Sequence, residues 1–225
     1  MGPSSDNMTA DATSLEALRR QLAPAIADAA VFDGWSNEAV AAAAELDGVE
    51  AAVAAFAFSG GPMAMIAAWI AACDAAMAVE WPAERLAQLK IRERIRTLVQ
   101  FRLDYVTPQQ EALARALAIM AMPQNAPQAL KLGWHSADLL WRLAGDTATD
   151  YNHYTKRTLL SGIYGATLAV LAHDRSEAQA DTRAFLERRI DGVMKFEKAK
   201  ARFLNRDFTG FSPARFLGRL RYPAR

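Results

Sequence analysis

Few side chains in this sequence could do chemistry, and they are scattered. The chain carries three histidines, His135, His153 and His173, and one cysteine, Cys73. A carboxylate-bridged di-iron bundle needs two Glu-x-x-His pairs on facing helices plus further helix-borne carboxylates. The sequence offers a single Asp150-Tyr-Asn-His153, so no metal ligands are assigned and His153 is read as a capping or interface residue. One cysteine excludes an intramolecular disulfide framework and every multi-cysteine metal pattern. Set between Ala72 and Asp74 in an alanine-rich run, Cys73 is read as a packed thiol rather than a nucleophile. The oxygen-rich stretch Gly145-Asp146-Thr147-Ala148-Thr149-Asp150-Tyr151-Asn152 lacks the sixth-position glycine and closing glutamate of an EF-hand. Gly145 as a helix stop, with Thr147 or Thr149 capping the next helix, accounts for it. There is no glycine-rich phosphate loop, nucleophile elbow or zinc helix motif. The chain is therefore expected to be non-enzymatic, with no catalytic residue and no cofactor.

The elements around these residues are helical throughout. At 225 residues, 52% apolar and 23% charged, the chain has the material for a sizeable core. Leu15, Leu18, Leu22 and Ile26 repeat at one helical face behind a Ser14 cap, over 13–30. A turn at Phe32-Asp33-Gly34-Trp35 and a second helix to about Glu45 follow. After Leu46-Asp47-Gly48, a short third helix runs from Val49 to Ala57 and ends at Gly60-Gly61-Pro62. Longer helices are expected over 62–80, 84–104, 108–121, 125–144, 150–173 and 178–205. No segment has the alternation of a strand, so the fold class is all-α. The organisation expected is a tail over 1–12, a helix-turn-helix-like head over 13–60, a helical body over 61–205 and a basic amphipathic segment over 206–225.

The order Phe32-Asp33-Gly34-Trp35, Ala43-Ala44, Gly48-Val49, Phe56 and Phe58 resembles the head of TetR-type regulators. Its charge runs against DNA binding. Residues 1–84 carry net −10 and residues 85–225 net +11. Between Gln21 and Glu84 there are nine acids and no Lys or Arg, whereas phosphate neutralisation needs basic side chains. The helix that would enter the groove, Val49 to Phe56, has no side chain to read a base edge. A packing or interface role for the head, without nucleic acid, is the reading.

The first 13 residues, with Asp6 and Asp11, do not read as a secretory or transit signal, and Asp74 interrupts the richest apolar run. The expected location is cytoplasmic, peripheral on the inner face of a membrane. The body has more apolar faces than one core needs. Met65, Ile66, Trp69, Leu98, Leu130, Leu160, Ile163 and Tyr164 either fill the core or wall a charge-free cavity suited to an isoprenoid or other lipid. From Lys195 to Arg225 nine basic residues interleave with phenylalanines and leucines. Ser212-Pro213 opens a short helix in which Arg215, Phe216, Leu217 and Arg219 are the expected membrane contacts. The alternatives are a helix end docked on its own body and a nucleic-acid tail.

Several stretches resemble one family, the COQ-nine accessory proteins of ubiquinone biosynthesis. They are Ala144 to Arg157, Phe32-Asp33-Gly34-Trp35-Ser36, Lys90 to Arg96, Met122 to Pro127 and Phe196 to Ala201, in one register over about 15–203. His153 stands where the family usually has tryptophan. The resemblance implies a TetR-like homodimer that has lost DNA binding and holds an isoprenoid quinone in its helical body. It also implies a membrane-reaching C-terminal helix and presentation of the lipid to the di-iron demethoxyubiquinone hydroxylase. The partner-binding residues it implies are Asp138 and Trp141, with Tyr154 beside them. The alternative function is a lipid-responsive TetR-like regulator.

Overall fold

A computed structural model describes residues 5–146 and 151–204, with side chains described over 14–146 and 153–192. Among the described residues all regular structure is helical, in agreement with the all-α expectation. The chain divides into two compact units, 1–183 and 184–225.

The first unit opens with α1 (Ser5–Asp33), α2 (Asn37–Leu46) and α3 (Ala51–Ala57). α1 begins ahead of the Ser14 cap expected from sequence, because 5–13 holds no glycine or proline to stop it. α2 begins where Ser36 Oγ accepts from the Ala39 amide at 3.3 Å. Gly48, at φ +66°, supplies the left-handed residue of the turn into α3. Alanines 39, 43, 44, 54 and 57 are buried, letting these short helices approach closely around Leu22, Ile26 and Phe58. Trp35 ties them to the rest of the unit. Its indole donates to the Ala112 carbonyl at 3.0 Å and its ring lies 5.3 Å from that of Trp69.

The body comprises α4 (Pro62–Glu80), α5 (Ala83–Ala87), α6 (Ile91–Val106), α7 (Gln110–Met120), α8 (Ala126–Leu143) and α9 (Tyr151–Leu171). α4 is long and apolar enough by composition to cross a membrane, despite Asp74. It is instead the core helix of this unit: Met65, Ile66, Trp69, Cys73 and Met77 are buried, and α1, α6, α7 and α8 pack on it.

The single helix expected over 84–104 is two, and side chains make the break. Glu93 Oε2 accepts from the Lys90 amide at 3.2 Å, starting α6. Arg94 Nε donates to the Leu89 carbonyl at 2.8 Å, taking a group that a continuous helix would use. α8 ends as expected at Gly145, φ +88°. The Gly145 amide bonds Arg142 O at 3.0 Å and the Asp146 amide bonds Trp141 O at 2.9 Å, a Schellman closure.

α10 (Ala180–Leu204) starts in the first unit and runs through the described part of the second. Its start is capped by Asp174, which accepts from the Thr182 amide at 2.8 Å and from the Thr182 hydroxyl at 2.5 Å. Within the second unit the Arg189 guanidinium lies 4.7 Å over the Phe185 ring.

Candidate functional site

Five helices of the first unit leave a cavity of about 80 Å³ between them. α4 contributes Ile66, Trp69, Ile70 and Cys73, and α6 contributes Arg102 and Val106. α7 supplies Leu113, Ala116, Leu117 and Met120, α8 supplies Leu132, Gly133 and Ser136, and α9 supplies Tyr164 and Leu168. A Cβ on Gly133 would stand 2.9 Å from Ser161 Oγ, which shows how closely α8 and α9 approach there.

Of the residues expected to wall a lipid cavity, Ile66, Trp69 and Tyr164 line it together. Met65, Leu98 and Leu160 are buried but outside its wall, and Ile163 is half-buried. Leu130, 75% exposed, also lies outside it, near the start of α8.

The expectation of a charge-free wall is overturned. Arg102, 1% exposed, reaches the cavity from α6 and ties four helices together. Its Nη1 pairs with Asp74 on α4, its Nε donates to Tyr164 Oη on α9 at 3.0 Å, and its Nη2 donates to Ser136 Oγ on α8 at 3.0 Å. Burial alone would favour losing the proton, but Tyr164 and Asp74 outweigh it, so the guanidinium stays charged. Burial pushes the Tyr164 phenol up, with Arg102 acting the other way. Burial likewise pushes the Cys73 thiol up to about 11. The sequence signal for this cluster was position rather than type. Arg102 falls on the buried stripe of Ile95, Leu98, Val99 and Val106, and Asp74 falls on apolar α4.

A second constellation lies between α8 and α9, where the partner-binding residues were expected. Asp138 is not a free carboxylate: Arg157 Nε donates to it at 2.6 Å and Arg142 pairs with it at 3.1 Å. Trp141 Nε1 donates to the Lys156 carbonyl at 3.1 Å, and the Lys156 ammonium lies 5.2 Å from its ring. Tyr154, 61% exposed, stacks on Trp134 at 6.0 Å and meets His153 edge-on at 5.1 Å. Asp138 and Trp141 therefore fix the α8–α9 geometry, while Trp134, His153 and Tyr154 form an aromatic surface. Burial raises Asp138 and Asp146, but their bonds to Arg157 and, for Asp146, Lys156 hold both below the usual carboxylate range.

Among the described residues no group of three His, Cys, Asp or Glu side chains is placed to hold a metal. The expected membrane contacts Arg215, Phe216, Leu217 and Arg219 lie outside the described residues.

A family model described as COQ9 matches residues 126–197, which include the α8–α9 constellation. The chain is similar to the protein named ubiquinone biosynthesis protein COQ9, mitochondrial, in several animals. Identity is 34% with the Rattus norvegicus protein over 82% of this chain and 61% of that one. It is 32% with the Homo sapiens protein, over 82% and 60%. For Drosophila melanogaster it is 28%, over 87% and 60%. The chain thus spans about three fifths of the length of the curated relatives it matches.

Proposed function

We propose that this chain, which belongs to the COQ9 family, is a non-catalytic lipid carrier of ubiquinone biosynthesis. It takes up an isoprenoid quinone intermediate and presents it to a di-iron hydroxylase, the demethoxyubiquinone hydroxylase, at a membrane surface. The observation that carries this reading is the apolar cavity at the meeting of five helices. Transfer of an isoprenoid tail to such a wall is favourable by about 25 cal/mol per Å² of apolar surface.

Ligand pockets usually measure about 300–1,000 Å³, so entry of a guest displaces part of the wall. The half-buried side, Ile70, Leu117, Met120 and Leu132, is where it gives way, methionine being the most adaptable of these. The aromatic surface of Trp134, His153 and Tyr154, with Asp138 and Trp141 fixing the helices beneath it, serves as the hydroxylase-facing patch in this reading. Arg215, Phe216, Leu217 and Arg219 are assigned to the membrane surface from their sequence pattern. The family relationship is the ground for a homodimer, and the mitochondrial location in the relatives' names is the ground for placing its action where they act, rather than at the cytoplasmic location expected from sequence.

A lipid-responsive regulator is disfavoured by α3. Its outward residues Ala51, Ala52, Val53, Ala55 and Phe56 give nothing for a phosphate or base edge to bond. The test is mass spectrometry of an organic extract of the purified protein beside a mock purification. A quinone or prenylated ring enriched with the protein is the expected result; no enriched lipid would overturn the carrier reading.

A further inference from the structure

Two hydroxyl protons at the cavity wall have no acceptor among the described residues. Tyr164 Oη and Ser136 Oγ each accept from Arg102 at 3.0 Å. Each oxygen gives a lone pair to the guanidinium, so its own O–H must point elsewhere. Nearby hydroxyls behave differently: Thr167 spends its proton on the Ile163 carbonyl at 2.7 Å, and Thr107 spends its own on Leu103 at 2.8 Å. Tyr164 and Ser136 are only 8% and 2% exposed, and a buried donor left unmade is costly. In the closed cavity the wall presents almost only carbon, the two oxygens being turned toward Arg102. Widening the cavity for a guest brings the two hydroxyls within its reach.

We propose that Tyr164 and Ser136 are the polar subsite of this cavity and donate hydrogen bonds to a neutral acceptor oxygen, carbonyl or ether, on the ring end of the guest. The inference rests on the carrier reading and adds a headgroup class to it. The acceptor is neutral because the charge of Arg102 is already met by Asp74. A carboxylate or phosphate would have to compete with Asp74 and would bring a second negative charge into a dry site. A pure hydrocarbon would leave both protons unpaired. Arg102 is a positioning residue, since it fixes the direction in which the two O–H groups point.

The test is isothermal titration calorimetry on the full chain with three probes sharing a decyl tail: a decyl-substituted dimethoxybenzoquinone, decylbenzene and decanoate. The quinone should bind at least about tenfold more tightly than decylbenzene, as expected for two added hydrogen bonds, and more tightly than decanoate. Tyr164→Phe and Ser136→Ala should each shrink the quinone-to-decylbenzene ratio about five- to tenfold without changing decylbenzene affinity. Helicity by circular dichroism confirms each variant is folded; if Tyr164→Phe does not fold, Ser136→Ala carries the test. Equal binding of quinone and decylbenzene, an unchanged ratio in the folded variants, or decanoate binding tightest would overturn the subsite and leave the carrier reading standing. Binding of none of the three would overturn both.

Discussion

Arg157 Nε donates to Asp138 Oδ1 at 2.6 Å while its Nη1 donates to Asp146 Oδ2 at 3.1 Å. One side chain on α9, 1% exposed, thereby clamps both the body of α8 and the turn that closes it. Removing it leaves each carboxylate with a more exposed partner, Arg142 for Asp138 and Lys156 for Asp146. Arg157→Met should destabilise the fold by about 3 kcal/mol, read as a lower urea midpoint at unchanged slope.

The same clamp sets a pH dependence. Asp138 and Asp146 are held below the usual carboxylate range although burial pulls them up. A depressed carboxylate contributes stability that is fully present above its unfolded value, about 3.9, and is lost as pH falls through the folded value. The wild-type protein should lose stability steadily from about pH 5 to pH 3. Arg157→Met should show a shallower loss over that window in urea titrations at each pH; parallel curves would show that the clamp is not the source.

Asp174 makes a comparable but separate contribution. Its carboxylate accepts from the Ser176 amide and hydroxyl at 2.8 and 2.5 Å and from the same two groups of Thr182. These bonds outweigh burial and hold it far below the usual carboxylate range. Asp174→Asn puts an NH2 donor against donors, so it should cost about 2 kcal/mol at pH 7 in thermal or urea unfolding. The difference should begin to narrow below the unfolded carboxylate value, where the unfolded chain alone takes up the proton, and close only below the much lower folded value, where native Asp174 is neutral too.

At Gly145 the test concerns the backbone. Its φ of +88° disfavours any side chain, and an added Cβ would lie 3.0 Å from Arg94 Nη1, which is itself bonded to the Ala144 carbonyl at 2.9 Å. Gly145→Ala should cost about 1–2 kcal/mol, and Gly145→Asn less, because asparagine tolerates this region.

The helix ends marked by glycine or proline were legible in the sequence. α4 starts at Pro62 after Gly61, and α8 stops at Gly145, as the residue types dictate. The break between α5 and α6 was not legible, because Gln88, Leu89 and Lys90 carry no breaker and the interruption comes from Glu93 and Arg94 folding back. The cavity was half legible: Ile66, Trp69 and Tyr164 belong to recurrent apolar positions, while Leu130, on the same helical face as buried Ala137, is itself exposed near the start of α8. Arg102 was partly hidden by its surroundings. It follows Arg92, Arg94 and Arg96 on one helix, and its place on the stripe of Ile95, Leu98, Val99 and Val106 marks it for burial, but its partners Asp74, Ser136 and Tyr164 come from three other helices and show only in the tertiary arrangement.

Cys73 reports on opening of the cavity it lines. Burial pushes its thiol up to about 11, so at pH 8 the reactive thiolate is scarce and shielded. Labelling by a disulfide reagent at pH 8 in native buffer should be at least about tenfold slower than in urea. Decyl-benzoquinone should slow it further by filling the cavity. Full labelling within the mixing time would show that the wall is open in the free protein.

The division of charge separates two surfaces that a basic tail could seek. A duplex and an anionic bilayer both attract Arg and Lys, but only the bilayer also takes up apolar side chains. Residues 195–225 combine nine basic residues with Phe196, Phe203, Phe208, Phe211 and Phe216, whereas the head carries no Lys or Arg between 21 and 84. The full chain should therefore co-sediment with vesicles containing about 30% phosphatidylserine or cardiolipin, weakening as salt rises because the attraction is screened. Replacing Phe216 and Leu217 with serine should reduce this several-fold at any salt with helicity unchanged, since it removes the apolar part alone. A random-sequence duplex in fluorescence anisotropy at the same ionic strength should bind more weakly than the vesicles and be indifferent to the same double substitution. Unchanged co-sedimentation of the double variant would show that the tail holds the membrane by charge only, or not at all.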